Sequence, residues 1–357
     1  MGMSVAGLGL GKMEGLAAPL SDYPALRPLD GGPIKLNSNE NPYGPSPMAK
    51  DAMLKNIGNS NRYTWSLRQD LVKALAAKHR LTEDNFLLGA GSTEMLDLLA
   101  RWAVAEKGSI VCAEPGFNYW IDTAQKQGIK KIGVPLTTDK KVDLPALQQA
   151  IQADTKLVYI CNPNNPTGTC LEKAELEGFI KEASQKCLVV IDEAYLEFAG
   201  KPSVSQLVKT NKNLVVLKTF SKIHGLAGAR IGYAIAHSST IETLTSLQSW
   251  ANGSVSVASA AAAIASLQDE KFITSCHALN EKVRNYTVQE MEALTISCIP
   301  SGTNFLYFTL ANYKKDFFKQ LETHNIIGTR IYEENGQWSR ITIGTMAEMQ
   351  LFIAAIK

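Results

Sequence analysis

The chain has no uninterrupted apolar stretch of about 18 residues, so no transmembrane helix is expected. It has little excess charge: 36 Lys and Arg stand against 34 Asp and Glu, which gives no electrostatic reason to expect a nucleic-acid or membrane partner. Its six cysteines, Cys112, Cys161, Cys170, Cys187, Cys276 and Cys298, are scattered and form no CxxC pair. A chain of 357 residues needs no disulfide staples, so these read as reduced thiols of a cytoplasmic protein. The five histidines form no HExxH, and no metal site is expected. The first 20 residues lack the basic start of a signal peptide. Their Gly7-Leu8-Gly9-Leu10-Gly11 lacks the preceding strand and following helix of a dinucleotide loop, so the segment reads as a tail.

What is present is a large apolar fraction, 45%, over a length that suits two domains. From Ser66 to His237 strands and helices alternate. Ser66-Leu67-Arg68-Gln69 reads as a capping box, followed by Leu67, Leu71, Val72, Leu75 and Ala76 at helical spacing. Asn85 to Leu88 reads as a strand, and Met95, Leu96, Leu99 and Trp102 mark a second helix. Short Val/Ile-rich runs at Ser109–Ala113, Lys156–Cys161, Leu188–Ile191, Leu214–Leu217 and Ile231–Ala236 predict buried strands. Apolar strands between helices mean an α/β core, a largely parallel sheet covered on both faces. The last third differs. Helices over Ser254–Leu267 and Lys271–Leu294 precede short strands at Thr295–Ile299, Phe305–Thr309, Ile326–Arg330 and Arg340–Ile343, and a helix follows from Ala347. This predicts a smaller C-terminal α+β domain, with residues 1–34 as an arm, 35–250 as the large domain (its N-terminal entry segment near the small domain) and 251–357 as the small one.

Ligands of open α/β sheets bind beyond the carboxyl ends of the strands, so the residues just after each run carry the chemistry. Gly89-Ala90-Gly91-Ser92-Thr93-Glu94 is either a phosphate seat at a helix N-terminus or an ordinary turn. Asn162-Pro163-Asn164-Asn165-Pro166-Thr167-Gly168 is a rigid turn presenting amides. Asp192 ends a buried strand and needs a cationic partner, such as a protonated ring nitrogen, unless it caps the next helix. Lys222 follows a strand and precedes glycines and Arg230. Desolvation and that neighbouring cation would lower its pKa, as an imine-forming amine requires. A phosphate cradle, an acid, a phenol, an amide and a lysine are together what pyridoxal phosphate needs.

Asn162 to Gly168, Asp192 to Tyr195 and Ser221 to Arg230 resemble the fold-type-I aminotransferases of class I and II. Asn39 to Pro47 and Ser339 to Thr345 look like the histidinol-phosphate aminotransferase subfamily, and the resemblance runs from about Lys35 to the C-terminus. It implies a large domain with a mainly parallel seven-stranded sheet between helices, and a homodimer with shared sites. It implies pyridoxal phosphate held by Lys222 as Schiff-base lysine, Asp192 on the ring nitrogen, Tyr195 and Asn165 on the 3′-oxygen, and Phe117 stacked on the ring. The phosphate would be held by Ser92, Thr93, Ser221 and Arg230, beside Gly91 and Thr219, and by Tyr63 from the other subunit. Lys222, Asp192 and Tyr195 would be catalytic. Arg340 would bind a substrate carboxylate, and Tyr23, Asn41 and Arg330 would line the substrate side.

The segment Gly328 to Trp338 departs from the subfamily pattern and brings two acids, Glu333 and Glu334, near the expected substrate pocket. The leading expectation is transfer of an amino group between histidinol phosphate and 2-oxoglutarate, within histidine biosynthesis. Aromatic amino acids are the second donor class. A decarboxylase or lyase of the threonine-phosphate type shares these motifs. A DNA-binding regulator that merely holds the cofactor would need an appended domain, and the resemblance takes up nearly the whole chain.

Overall fold

The structure is a computed structural model that describes residues 32–63, 65–250 and 255–357. A short strand, β1 (Ile34–Lys35), opens the described chain. Seven strands then build the large sheet: β2 (Phe86–Gly89), β3 (Ser109–Glu114), β4 (Lys130–Pro135), β5 (Thr155–Cys161), β6 (Leu188–Asp192), β7 (Leu214–Thr219) and β8 (Gly232–Ala236). Their spatial order is β2-β8-β7-β6-β5-β3-β4, and β8 alone runs antiparallel to its neighbours. Interleaved helices are α1 (Pro47–Asn56), α2 (Trp65–His79), α3 (Ser92–Glu106), α4 (Tyr119–Gln125), α5 (Leu144–Ala150), α6 (Lys173–Ala183), α7 (Leu196–Ala199) and α8 (Ser238–Leu247).

Successive strand residues point to opposite faces, so a strand apolar at every position must be covered twice. Along β5, Leu157, Tyr159 and Cys161 enter one core while Val158 and Ile160 enter the other. The first core is closed by α3, α4 and α8 through Met95, Leu99, Ile121 and Leu244. The second is closed by α1, α2, α5 and α6, and also by α9 (Val257–Gln268) through Ala260, Ala262 and Ala263.

The remaining elements are α10 (Glu270–Ala293), β9 (Cys298–Ile299), β10 (Phe305–Thr309), α11 (Phe317–Thr323), β11 (Ile326–Ile327), β12 (Ile331–Glu333), β13 (Trp338–Thr342) and α12 (Met346–Ile356). Strands β12-β13-β10-β9 form an antiparallel sheet, and β1 pairs with β11. A third core joins Leu36, Val283, Phe308, Phe317, Ile341 and Phe352. The helices start where the sequence supplies caps. Ser256 accepts from Ser259 N at 3.1 Å ahead of α9, and Asp269 accepts from Phe272 N at 3.2 Å ahead of α10.

The structure corrects three expectations. Strand β4 carries Lys130 and Lys131 at the sheet edge, where only one side is paired, so it has no apolar run to reveal it. Of the strand expected over Ile326–Arg330 only Ile326 and Ile327 are extended, as β11; Gly328, Thr329 and Arg330 lie outside any strand, and β12 begins at Ile331 in a different sheet. Ser66 is the second residue of α2 rather than its cap; Trp65 is already helical and lies 4.1 Å from the Arg68 guanidinium one turn on. The expected boundary at 250/251 precedes α9, which packs in the large-sheet core, while Leu36, in the entry segment expected near the small domain, packs in the C-terminal one. Among the described residues no helix is long and apolar enough to cross a membrane.

Candidate active site

The carboxyl ends of β3, β5, β6 and β7 carry Glu114, Cys161, Asp192 and Thr219 to one edge of the large sheet. The C-terminal sheet faces that edge, and two adjoining cavities lie there. Lys222, Asn165, Tyr195 and Phe117 line both. The inner cavity, about 190 Å³, also meets Ser92, Thr93, Asp192, Thr219, Ser221 and Arg230. The outer, about 730 Å³, opens past Tyr119, Arg330, Tyr332 and Arg340.

One end of the inner cavity is built for an anion. Helix α3 begins there with Gly91 at its N-cap and no capping side chain, so its first-turn N–H groups and its dipole face the cavity. Gly91 has φ +82°, and a Cβ on it would lie 2.6 Å from Arg230 Nη2. A Cβ on Gly232 would lie 2.5 Å from Ser92 N. These two glycines let the helix start, β8 and the arginine close together. Arg230 itself takes a left-handed backbone (φ 52°), and its guanidinium donates to Ala90 O at 3.2 Å and Ala227 O at 3.0 Å. Among the described residues no carboxylate pairs with it. The hydroxyls of Thr219 and Ser221, 2.9 Å apart, complete this end.

The opposite end is built for a cation. Asp192 is buried, accepting from Tyr159 OH at 3.0 Å and Ala194 N at 3.1 Å. Burial pushes its carboxyl up to about 6 against the opposing pull of those donors and of Lys222. A cationic ring nitrogen would return it to the carboxylate form. Pyridoxal phosphate has such a nitrogen at one end and a phosphate at the other, so the inner cavity fits it.

Lys222 stands between the cavities. Its Nζ donates to Ser38 O at 3.2 Å and lies 5.3 Å from the Tyr195 ring centre. Desolvation first, and then Arg340, hold the ammonium down to about 8, against the upward pull of Glu40 and Asp192. Tyr195 is buried and its OH accepts from Asn39 Nδ2 at 3.0 Å. Arg340 is 7% exposed and donates to Asn165 Oδ1 and Asn37 O, both at 2.6 Å. Since a guanidinium only donates, the Asn165 oxygen is engaged and its amide NH₂ is left for the cavity. Among the described residues Arg340 Nε has no hydrogen-bond partner, and no acid pairs with Arg340 or Arg330. Arg330 donates to Tyr119 OH at 3.1 Å.

Of the residues singled out from sequence, Lys222, Asp192, Tyr195, Asn165, Phe117, Ser92, Thr93, Thr219, Ser221, Arg230, Arg330 and Arg340 line these cavities, and Gly91 lies beside them. Asn41 lines neither: its amide binds Ile223 O at 2.8 Å and Cys276 Sγ at 3.4 Å and shapes a loop. Tyr63 is exposed and packs 4.8 Å from Trp250. Tyr23 lies outside the described residues. Sequence reasoning assigned no role to Asn39, Tyr159, Tyr119, Tyr332 or Lys140. Asn39 sat in a motif, but Tyr159 reads as any strand residue until the sheet places it under Asp192. The acid Glu333, which seemed to oppose an anion, is neutralised by Lys140 at 2.8 Å and accepts from Tyr307 OH at 2.7 Å.

Comparison with known proteins agrees with this geometry. The family model "Aminotransferase class I and II" matches residues 32–356. The chain is 36% identical to histidinol-phosphate aminotransferase of Moorella thermoacetica, covering 91% of this chain and 84% of that one. Against the Brevibacillus brevis protein of the same name it is 36% identical, covering 91% and 89%. Its structure is similar to that of histidinol-phosphate aminotransferase from Sinorhizobium meliloti in complex with pyridoxal-5′-phosphate: TM-score 0.84, 27% identity, 90% of this chain and 89% of the other.

Proposed function

The chain belongs to the class I and II aminotransferase family, as a pyridoxal-phosphate-dependent transaminase, and on that premise we propose that it moves the amino group of histidinol phosphate to 2-oxoglutarate. The observation that carries the reading is Lys222, an amine held near 8 at the junction of an inner cavity that fits the cofactor and an outer cavity with two guanidiniums that meet no acid among the described residues.

When bound, the cofactor supplies an electron sink for the carbanion left by removal of the substrate's α-proton. Everything else is work for this chain's residues. Ser92, Thr93, Ser221, Arg230 and the α3 N-terminus would hold the phosphate. Asp192 would keep the ring nitrogen protonated, and Tyr195 and the Asn165 amide would bind the 3′-oxygen. Lys222 Nζ is the base for the α-proton; a value near 8 leaves a useful uncharged fraction at neutral pH while keeping the amine basic. Arg340, its planar fork fixed by Asn165 and Asn37, orients the substrate's anionic group. Arg330 offers a second cation about one ring away, since both guanidiniums lie against Tyr332 at 5.3 and 5.5 Å. Two such groups suit a phosphate or a dicarboxylate. Pairing of Glu333 with Lys140 removes the electrostatic objection to a phosphate.

The rings of Phe117, Tyr119 and Tyr332 along the outer cavity support aromatic amino acids as a second donor class. The exposed Tyr63, Trp65 and Trp250, with Leu54 and Ile57 also exposed, support a homodimer in which Tyr63 reaches the partner's cofactor phosphate. Six unbridged thiols support a reducing compartment, the cytoplasm.

The test is the absorption spectrum of the purified enzyme with pyridoxal phosphate, before and after L-glutamate, and then after histidinol phosphate. Conversion to the pyridoxamine spectrum by both donors is expected. Conversion by glutamate and phenylalanine but not histidinol phosphate would move the reading to the aromatic class. A spectrum indifferent to every amino donor would favour decarboxylation or lyase chemistry.

A further inference from the structure

Strand β12, which carries Tyr332, has little to hold it. It is three residues long, lies at the edge of its sheet and, among the described residues, pairs only with β13. That ladder is interrupted, with the register shifting between Ile331 and Glu333. Yet Tyr332 and Arg330 have to stand over the outer cavity for its second cation to be useful. Two contacts tie the ends of β12 to the large-sheet layer. Arg330 donates to Tyr119 OH on α4, at 3.1 Å. At the other end Lys140 Nζ donates to both oxygens of Glu333, at 2.9 and 2.8 Å.

The second contact is built on both sides. Lys140 sits in the turn between β4 and α5 with a left-handed backbone (φ 61°). The turn is closed by Lys140 N to Thr137 O at 2.9 Å and Thr137 N to Lys141 O at 2.9 Å. The Lys140 carbonyl accepts from Thr169 Oγ1 at 2.9 Å, and Thr169 contacts Thr167 at 2.8 Å, inside the turn that carries Asn165. The Lys140 ammonium also lies 4.8 Å from the Trp338 ring centre, and Trp338 stacks on Tyr307 at 5.3 Å with planes 13° apart. Tyr307 in turn donates to Glu333. The two side chains of the pair are only 16% and 26% exposed, so water screens them less than a surface pair.

We propose that Lys140 and Glu333 are positioning residues: their pair clamps β12 to the β4–α5 turn, itself bonded through Thr169 to the segment bearing Asn165, and so sets Arg330 and Tyr332 for substrate-anion binding. Neither touches the reacting atoms. The proposal rests on reading Arg330 and Arg340 as the anion-binding side of the outer cavity.

Inorganic phosphate is the probe, titrated into the holoenzyme and read from the cofactor's absorbance, which makes the result independent of the amino donor's identity. Lys140→Met and Glu333→Gln should each weaken phosphate binding roughly fivefold to tenfold, and Lys140→Arg should keep it near wild type. The double variant should be no weaker than either single one, because the two residues act through one contact. Cofactor affinity should stay unchanged. Phosphate affinity equal to wild type in Lys140→Met, whatever happens to its melting temperature, overturns the proposal, as do losses that add in the double variant. A wild type whose absorbance ignores phosphate overturns the anion-side reading together with the clamp. The aminotransferase reading is tested apart, by glutamate.

Discussion

Two lysines four residues apart at the end of β7 have opposite surroundings. Lys218 is buried with Glu197 at 2.8 Å and Glu193 at 3.1 Å, and these two carboxylates outweigh desolvation and raise its pKa. Lys222 is also surrounded by protein, but Arg340 is its strongest charged neighbour, and its amine is held down to about 8. Burial alone therefore does not decide what a lysine does. Desolvation lowers both; what differs is that carboxylates bound directly to Lys218 outweigh it, whereas around Lys222 Arg340 adds to it, which leaves one a structural cation and suits the other to the proposed base. The same contrast runs through the site: Glu333 is neutralised by its lysine, while Arg230, Arg330 and Arg340 meet no acid among the described residues and wait for anions.

The largest expected effect separates the two by exchange of roles. Lys222→Ala should reduce kcat in the glutamate half-reaction by at least about 10³-fold, since it removes the proposed base, and should not lower the urea midpoint. Lys218→Met should do the reverse. It leaves the buried Glu193 and the half-buried Glu197 without their cation, so it should cost about 3 kcal/mol of stability in urea unfolding and spare much of kcat at low temperature. If Lys218→Met lost activity as completely as Lys222→Ala while its urea midpoint held, the comparison would fail.

A smaller effect concerns pH, with the signs opposed. Between about 8 and its ordinary 10.5, Lys222 binds its proton in the unfolded chain but not in the folded one, so it raises stability as pH rises. In cofactor-free enzyme, Lys222→Met should then be more stable than wild type at pH 7, with the gap closing from pH 8 to about 10.5. Lys218, raised above 10.5, contributes fully below that value and loses its contribution only above it. The wild-type advantage over Lys218→Met should stay level to pH 10. Urea midpoints across pH would check both slopes, and parallel curves would erase the distinction.

The strands that line the site were legible because each is a buried run ended by a polar residue, as with Leu188–Ile191 before Asp192. Strand β4 was not, because an edge strand with two lysines has no such pattern. The residues proposed to hold the cofactor stand in a readable order along the chain, and the fold brings most of them to one cavity. The substrate side was less so: Glu333 reads as an obstacle in sequence and is part of a clamp in the fold, and Asn41 reads as a ligand and shapes a loop.

By itself the sequence determined the α/β class, the family and the lysine, because those depend on local pattern: apolar periodicity, glycines where a Cβ cannot fit, and polar residues at strand ends. Only the tertiary structure decided which buried charges are cancelled and which are left open. Lys140 and Glu333 lie 193 residues apart, and Arg340 and Asn165 lie 175 apart. Electrostatic energy depends on distance through space and on the exclusion of water, and neither is written in the spacing along a chain.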